Sequence, residues 1–136
     1  MSLRVVIDTN ITVSALLFGG VPLKVVEAAF SRRFVWVISE PLLVELDRAL
    51  GSPKFALSAR EKATLSAPIL DVVEIVVPTT HLEVIERCPA DNRVLECAVD
   101  GGCERIVTGD RRDLLGLKSY QAVRIVTART FVNELA

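Results

Sequence analysis

At 136 residues the chain has the length of one domain, since about 150 residues is typical and a chain of this size buries roughly two-thirds of its unfolded surface. With 16 basic against 17 acidic residues the net charge is −1 and the pI about 5.9, which excludes a generally basic coat for nucleic acid. Apolar residues at 51% with aromatics at only 5% exclude disorder and point to a core of Val, Leu, Ile and Ala, as in a parallel sheet covered by helices.

Taken in chain order, Leu3 to Ile7 reads as a buried strand, Thr12 to Phe18 and Leu23 to Arg32 as helices, and Phe34 to Ile38 as a second strand. Pro41 to Leu50 and Ser58 to Leu70 are helices, Pro41 suiting a first helical turn. Val72 to Val77 is a third strand, Asp91 to Asp100 a helix, Arg105 to Val107 a fourth strand, Val123 to Val126 a fifth, and Thr127 to Leu135 a closing helix. Gly19-Gly20, Gly51-Ser52-Pro53, Pro78 and Gly101-Gly102 are loop signals inside one domain over 1–136. Strands alternating with helices imply a parallel sheet with helices on both faces, where ligands sit beyond the carboxyl ends of the strands.

Those ends carry acids. The first strand runs into Asp8-Thr9-Asn10, and the fourth into Thr108-Gly109-Asp110. Each reads as a site or as a helix cap and turn, and Asp113 equally as a cap or a helix-start charge. Asp91 has Val94, Leu95 and Ala98 at three, four and seven residues on, so its side chain points with the apolar stripe toward the protein, although an N-cap would also sit there. In the Pro41 helix, Glu45 and Asp47 fall just outside opposite margins of the apolar arc, and periodicity does not choose between them. Carboxylates converging at strand ends repel unless a counter-charge joins them. With no accompanying His or Cys, a hard cation such as Mg²⁺ or Mn²⁺ and phosphodiester chemistry fit better than zinc hydrolysis. Cys88, Cys97 and Cys103 form no C-x-x-C pair and His81 is the sole histidine, so neither a disulfide framework nor a zinc site is expected. His81 itself reads as a helix-start or surface residue.

These runs resemble the PIN-domain nucleases. The opening motif is Val5-Val6-Ile7-Asp8-Thr9-Asn10-Ile11 with Ser14-Ala15-Leu16-Leu17 behind it. Pro41-Leu42-Leu43-Val44-Glu45-Leu46, Pro89-Ala90-Asp91-Asn92-Arg93-Val94-Leu95 and Ile106-Val107-Thr108-Gly109-Asp110-Arg111-Arg112-Asp113 follow in the family's order. The resemblance covers essentially the whole chain and is nearest to the VapC-like toxins of bacterial toxin-antitoxin pairs. It implies a three-layer α/β/α sandwich with a central parallel sheet and an acidic pocket that binds one or two Mg²⁺ or Mn²⁺ ions and cleaves RNA. It implies Asp8, Glu45, Asp91 and Asp110 as the acids, choosing Glu45 over Asp47, with Asp113 an additional ligand in some members. Thr9, Asn10 and Thr108 match the polar residues that orient the acids. Where the branch often carries further acids before the third one, this chain has Cys88-Pro89-Ala90.

Substrate grip must come from local charge, with Arg93, Arg111 and Arg112 as candidates and Arg32 and Arg33 more remote. Few aromatics predict no stacking platform. The resemblance also implies an antitoxin partner, laid as an amphipathic segment across an apolar groove. A mean hydropathy of +0.43 suggests hidden apolar surface, as in a homodimer, with Leu16, Leu17 and Phe18 as interface or core. With no membrane-length apolar run and Arg4 ahead of a short strand, a cytoplasmic location is expected. The rival readings are a latent PIN domain that binds rather than cleaves, and a phospho-acceptor domain. The latter lacks its carboxylate after the third strand, where Pro78-Thr79-Thr80 stand, and its Lys after the fifth. A nucleotide-binding Rossmann enzyme lacks its Gly-x-Gly-x-x-Gly after the first strand.

Overall fold

In the computed structural model, which describes residues 2–136, six strands form one sheet: β1 (Arg4–Ile7), β2 (Val35–Ser39), β3 (Glu74–Val76), β4 (Arg105–Val107), β5 (Ser119–Tyr120) and β6 (Val123–Val126). Their order is β3-β2-β1-β4-β6-β5. All pairings are parallel except the β5–β6 hairpin. Around them lie α1 (Thr9–Phe18), α2 (Gly20–Phe30), α3 (Glu40–Leu50), α4 (Ala59–Val72), α5 (Pro89–Asp100), α6 (Leu114–Leu117) and α7 (Ala128–Leu135), with one 3-10 turn at Pro53–Phe55.

Alternation along the strands divides the core into two layers, because successive side chains leave opposite faces of a sheet. Val5, Ile7, Trp36 and Val107 join Val25, Val26, Ile69 and Phe131 on one face. Val6, Val37 and Ile106 join Val94, Leu95, Ala98 and Leu114 on the other. The result is the expected α/β/α sandwich. Helix α3 follows β2 without a loop and serves both layers, Leu46 and Leu50 in the first and Leu42 in the second. That placement fixes it across the carboxyl end of the sheet.

The strand order reverses between β1 and β4, so their carboxyl ends open the crevice where ligands bind in such sheets. Ile7 is in register with Val107, which sets Asp8 beside Thr108, the next residue on each strand.

Several boundaries differ from the sequence reading. Helix α4 runs on to Val72, so the third strand shrinks to an edge strand whose Ile75 is 54% exposed. Strand β5 and α6 went unread because two and four residues are too short for periodicity, and the hairpin turn at Gln121-Ala122 carries no Gly or Asn, Gln121 itself taking φ 52°. Gly19 (φ 74°) and Gly20 (φ 71°) make the break between α1 and α2, a left-handed backbone that a side chain would strain. Among the described residues no single helix is long and apolar enough to cross a membrane.

Candidate active site

Asp8 is 5% exposed. It holds the N-cap position of α1, yet its side chain makes no capping hydrogen bond. Instead its Oδ2 accepts from the Thr108 hydroxyl at 2.8 Å, and its N–H donates to the Val107 carbonyl at 2.9 Å. The same Thr108 Oγ1 accepts from the Asp110 N–H at 3.0 Å. One buried hydroxyl therefore ties the acid after β1 to the acid after β4. Burial pushes the Asp8 carboxyl above the usual carboxylate range; Thr108 and the Thr9 amide pull it down, and the Asp110 charge adds to the rise.

The Asp110 carboxylate organises the following turn, its Oδ1 accepting from the Arg112 and Asp113 amides at 3.1 and 3.2 Å and its Oδ2 from Leu114 at 3.4 Å. Burial works to raise its pKa, but the hydrogen bond with Asp91 and the Asp113, Arg112 and Leu114 amides outweigh it and hold Asp110 low. The turn reading and the site reading are thus both served by one side chain. Asp113 occupies the N-cap position of α6 without a capping bond from its side chain.

Asp91 lies in the first turn of α5, whose cap is Cys88, so it is not the N-cap. Its Oδ2 is buried and meets no donor. The group opposite is Asp110, another acceptor, and the pair needs a shared proton or a cation. Burial, the hydrogen bond to Asp110 and the charges of Asp8 and Asp110 together push Asp91 up to about 7. Asp91, Asp110 and Asp113 each bring one carboxylate oxygen into a group whose members lie within 4.8 Å of one another. An all-carboxylate set with an orphaned buried oxygen fits a hard divalent cation.

Glu45 sits half-buried on α3; burial and then the Asp8 charge raise its pKa, while Arg48 lowers it. Asp47, the alternative, is an exposed acid at 3.1 Å from Lys62. Glu45 and Arg48 line a cleft of about 510 Å³ with Pro41, Val44 and Ala90. Sequence reasoning missed Arg48, which three-residue helical spacing from Glu45 would have revealed.

The supporting residues divide. Thr108 is fully buried and bonded to Asp8. Thr9 is buried and acts on Asp8 through its backbone. Asn10 is exposed and lines a separate cleft; among the described residues neither its side chain nor that of Thr9 hydrogen-bonds an acid.

Arg93 lines the same cleft as Glu45 and Arg48, and its guanidinium also meets buried Glu96, Nη2 donating to Oε2 at 2.8 Å and Nε standing 2.8 Å from Oε1. Arg111 and Arg112 are exposed, and among the described residues neither forms an ion pair. His81 is not at a helix start; it lies in the exposed segment before α5, with Nε2 3.3 Å from Glu83 Oε1. Leu16 and Leu17 pack against the core while Phe18 stays exposed. Cys97 and Cys103 are buried free thiols, each pushed by burial up to about 12.

Asp91 owes its position to a ladder along α5. Asn92, Glu96 and Asp100 recur every four residues on one helical face and pin the segment that leads into the helix. Asn92 bonds both the N–H and the C=O of Ile85 at 2.9 and 2.8 Å. Glu96 accepts from the Leu82 amide at 2.8 Å, and Asp100 from the Thr79 and Thr80 amides at 2.6 and 2.8 Å. Asn92→Ala strands two buried backbone groups at about 1–3 kcal/mol each, so a loss of about 2–6 kcal/mol is expected in urea unfolding. A loss under about 0.5 kcal/mol, the range of ordinary surface changes, would show that the ladder does not hold the segment.

Residues 4–112 match the PIN-domain family, a span that takes in Asp8, Glu45, Asp91 and Asp110 and stops short of Asp113. The uncharacterized protein MJ1680 of Methanocaldococcus jannaschii is 27% identical over 146 residues, covering 98% of this chain and 92% of that one. The fold is similar to VapBC2 from Rickettsia felis, solved bound to a DNA fragment from their promoter, at TM-score 0.64 and 15% identity over 92% of this chain and 98% of that chain. It is equally similar to PAE2754 from Pyrobaculum aerophilum, at TM-score 0.64 and 15% identity over 98% and 89%. Identity that low speaks for shared architecture alone, but the family match runs from β1 through the acid-bearing turn after β4, and the chain belongs to the PIN-domain family.

Proposed function

We propose that this PIN domain is a metal-dependent endoribonuclease that hydrolyses RNA phosphodiester bonds in the cytoplasm, as the toxin of a toxin-antitoxin pair. The observation that carries the nuclease reading is the carboxylate crowding of Asp91, Asp110 and Asp113 beside Asp8, with Asp91 Oδ2 buried and lacking a donor. Asp8, Asp91 and Asp110 would hold Mg²⁺ or Mn²⁺, with Asp113 as a further ligand. The bound ion supplies polarisation of the phosphate and acidification of a water.

The rest is the chain's own work. Thr108 holds Asp8 and the Asp110 backbone at fixed separation, so the carboxylates meet the substrate without rearranging. Glu45, half-buried and pushed up by burial and Asp8, serves as a ligand or accepts a hydrogen bond from the attacking water, and Arg48 beside it faces the phosphate. Arg111 and Arg112 flank Asp110 and grip the strand. Replacing both with Ala is expected to weaken RNA binding and to flatten the slope of log affinity against log salt by about 1.4, at about 0.7 per lost contact on a single strand. An unchanged slope removes them from the interface.

The toxin reading draws on the fold likeness to VapBC2 and on the Pro41, Val44 and Ala90 wall beside Glu45, which an antitoxin segment would cover. A homodimer is read from the mean hydropathy together with Leu70, Ile75 and Val77, exposed on and around the β3 edge.

The decisive experiment is incubation of a mixed single-stranded RNA with the purified chain in Mn²⁺, in Mg²⁺ and in chelator. Cleavage confined to the metal arms is the expected result. No cleavage in any arm, with thermal stabilisation by metal intact, would replace the nuclease with a binding module.

A further inference from the structure

A second surface, where two of the five Phe residues meet, lies outside the acid site. Phe18 ends α1 with 73% of its surface exposed. Phe55, in the 3-10 turn after α3, stands edge-on to it with ring centroids 6.3 Å apart and planes at 61°. Lys54 Nζ lies 5.1 Å from the centre of the Phe55 ring. With Asn10, Ser14 and Ser52 they line a cleft of about 330 Å³.

This cleft and the acids stand at opposite ends of α1, which Asp8 begins as N-cap and Phe18 ends. Asn10 stands two residues beyond Asp8, and at about 1.5 Å per helical residue Phe18 lies about 15 Å from the Asp8 end of α1. On the other wall, α3 carries Glu45 and Arg48 into the acid cleft and Ala49 into this one, with Ser52 following just after the helix ends. Among the described residues neither Arg48 nor Lys54 forms an ion pair. One cation thus stands in the cleft beside Glu45 and another beside the Phe55 ring.

We propose that Phe18, Phe55 and Lys54 form a base-binding shelf for an unpaired nucleotide of the strand whose phosphodiester lies at the acids. Phe18 stacks on the base, while Arg48 and Lys54 hold the intervening phosphates. The separation of about 15 Å corresponds to about four nucleotides at the 3.4 Å rise of a stacked strand, and fewer if it is extended. A single-stranded nucleic acid is favoured over an apolar helix because Phe18 is the one large apolar side chain lining this cleft that stands mostly exposed, too little apolar area for a helix face, whereas an exposed ring with a lysine in the same cleft suits a base and its phosphate. The shelf rests on the nuclease reading for its direction toward the acids, but its occupancy does not depend on cleavage.

The test measures fluorescence anisotropy of a short, labelled, unstructured RNA in Ca²⁺, which neutralises the carboxylates without the octahedral geometry that Mg²⁺ demands. Phe18→Ala is expected to weaken binding by about tenfold, within the range for loss of one stacked base, and Phe18→Tyr to retain it. An RNA of abasic riboses should bind the wild-type and Phe18→Ala chains alike. Wild-type affinity in Phe18→Ala overturns the shelf, and if the mass in solution also falls, the patch joins copies of the chain. Absence of RNA binding by the wild-type chain likewise overturns it. Phe18-dependent binding without cleavage in any metal leaves the shelf and removes the nuclease; cleavage indifferent to Phe18 does the reverse.

Discussion

Asp8→Asn is expected to lower metal-dependent RNA cleavage by about a thousandfold or more, since loss of a ligand removes several kcal/mol of charge stabilisation and each 1.4 kcal/mol is a factor of ten. The same change should leave unfolding free energy within about 1 kcal/mol of the parent or slightly raise it. Asn keeps the volume of Asp and an oxygen to accept the Thr108 hydroxyl, which reaches Oδ2 at 2.8 Å in the parent. It also removes a charge that burial already disfavours, as the raised pKa of Asp8 records, so relief of desolvation offsets any weaker hydrogen bond. Asp47→Asn is the control: the same chemical change on the same helix as Glu45, at an exposed acid paired with Lys62, should leave cleavage untouched. Full activity in Asp8→Asn would remove Asp8 from the site. A collapse in stability would show that the carboxylate is structural.

The acids at the strand ends were legible because Val- and Ile-rich runs stop abruptly in Asp, and a parallel sheet gathers such stops at one edge. What the sequence left open was whether Asp8 and Asp91 cap helices. Both precede or open a helical run in the sequence, and only geometry separates the cases: the Asp8 side chain turns to Thr108, and Cys88 takes the cap position ahead of Asp91. Glu45 and Asp47 were equivalent by periodicity, since a helical wheel does not record what lies beyond each margin. One faces Asp8 and the other Lys62. The pairing of Arg93 with Glu96 went unread because Glu96, three residues on, reads as an ordinary exposed acid until the segment before α5 folds over it and buries it to 6% exposure. Phe18 failed in the opposite sense: aromatic content counts rings but does not say that one of them stays on the surface beside a lysine.

The same carboxylates make a second strong prediction, in pH. Asp91 is raised to about 7 from its ordinary value of 3.8, and burial raises Asp8 and Glu45 in the same direction. Between about pH 4 and 7 the metal-free native chain therefore holds protons that the unfolded chain has released, and stability must fall as pH rises through that window and level off above it. Asp110, held low, acts in the opposite sense, but only at pH below the ordinary carboxylate range. A divalent cation competes with the proton on Asp91, so its affinity should climb by about tenfold per pH unit up to about 7 and then flatten. Thermal unfolding at pH 5, 6, 7 and 8 with and without Mn²⁺ reads both trends at once: a metal-free melting temperature that declines to neutrality, and a metal-induced increase that grows over the same interval. In Asp91→Asn both slopes should lessen, because the group whose proton the metal displaces is gone. A metal-free melting temperature that rises from pH 5 to 7, or a metal effect indifferent to pH, would mean that Asp91 is already ionised there and that the crowding is relieved by some other arrangement.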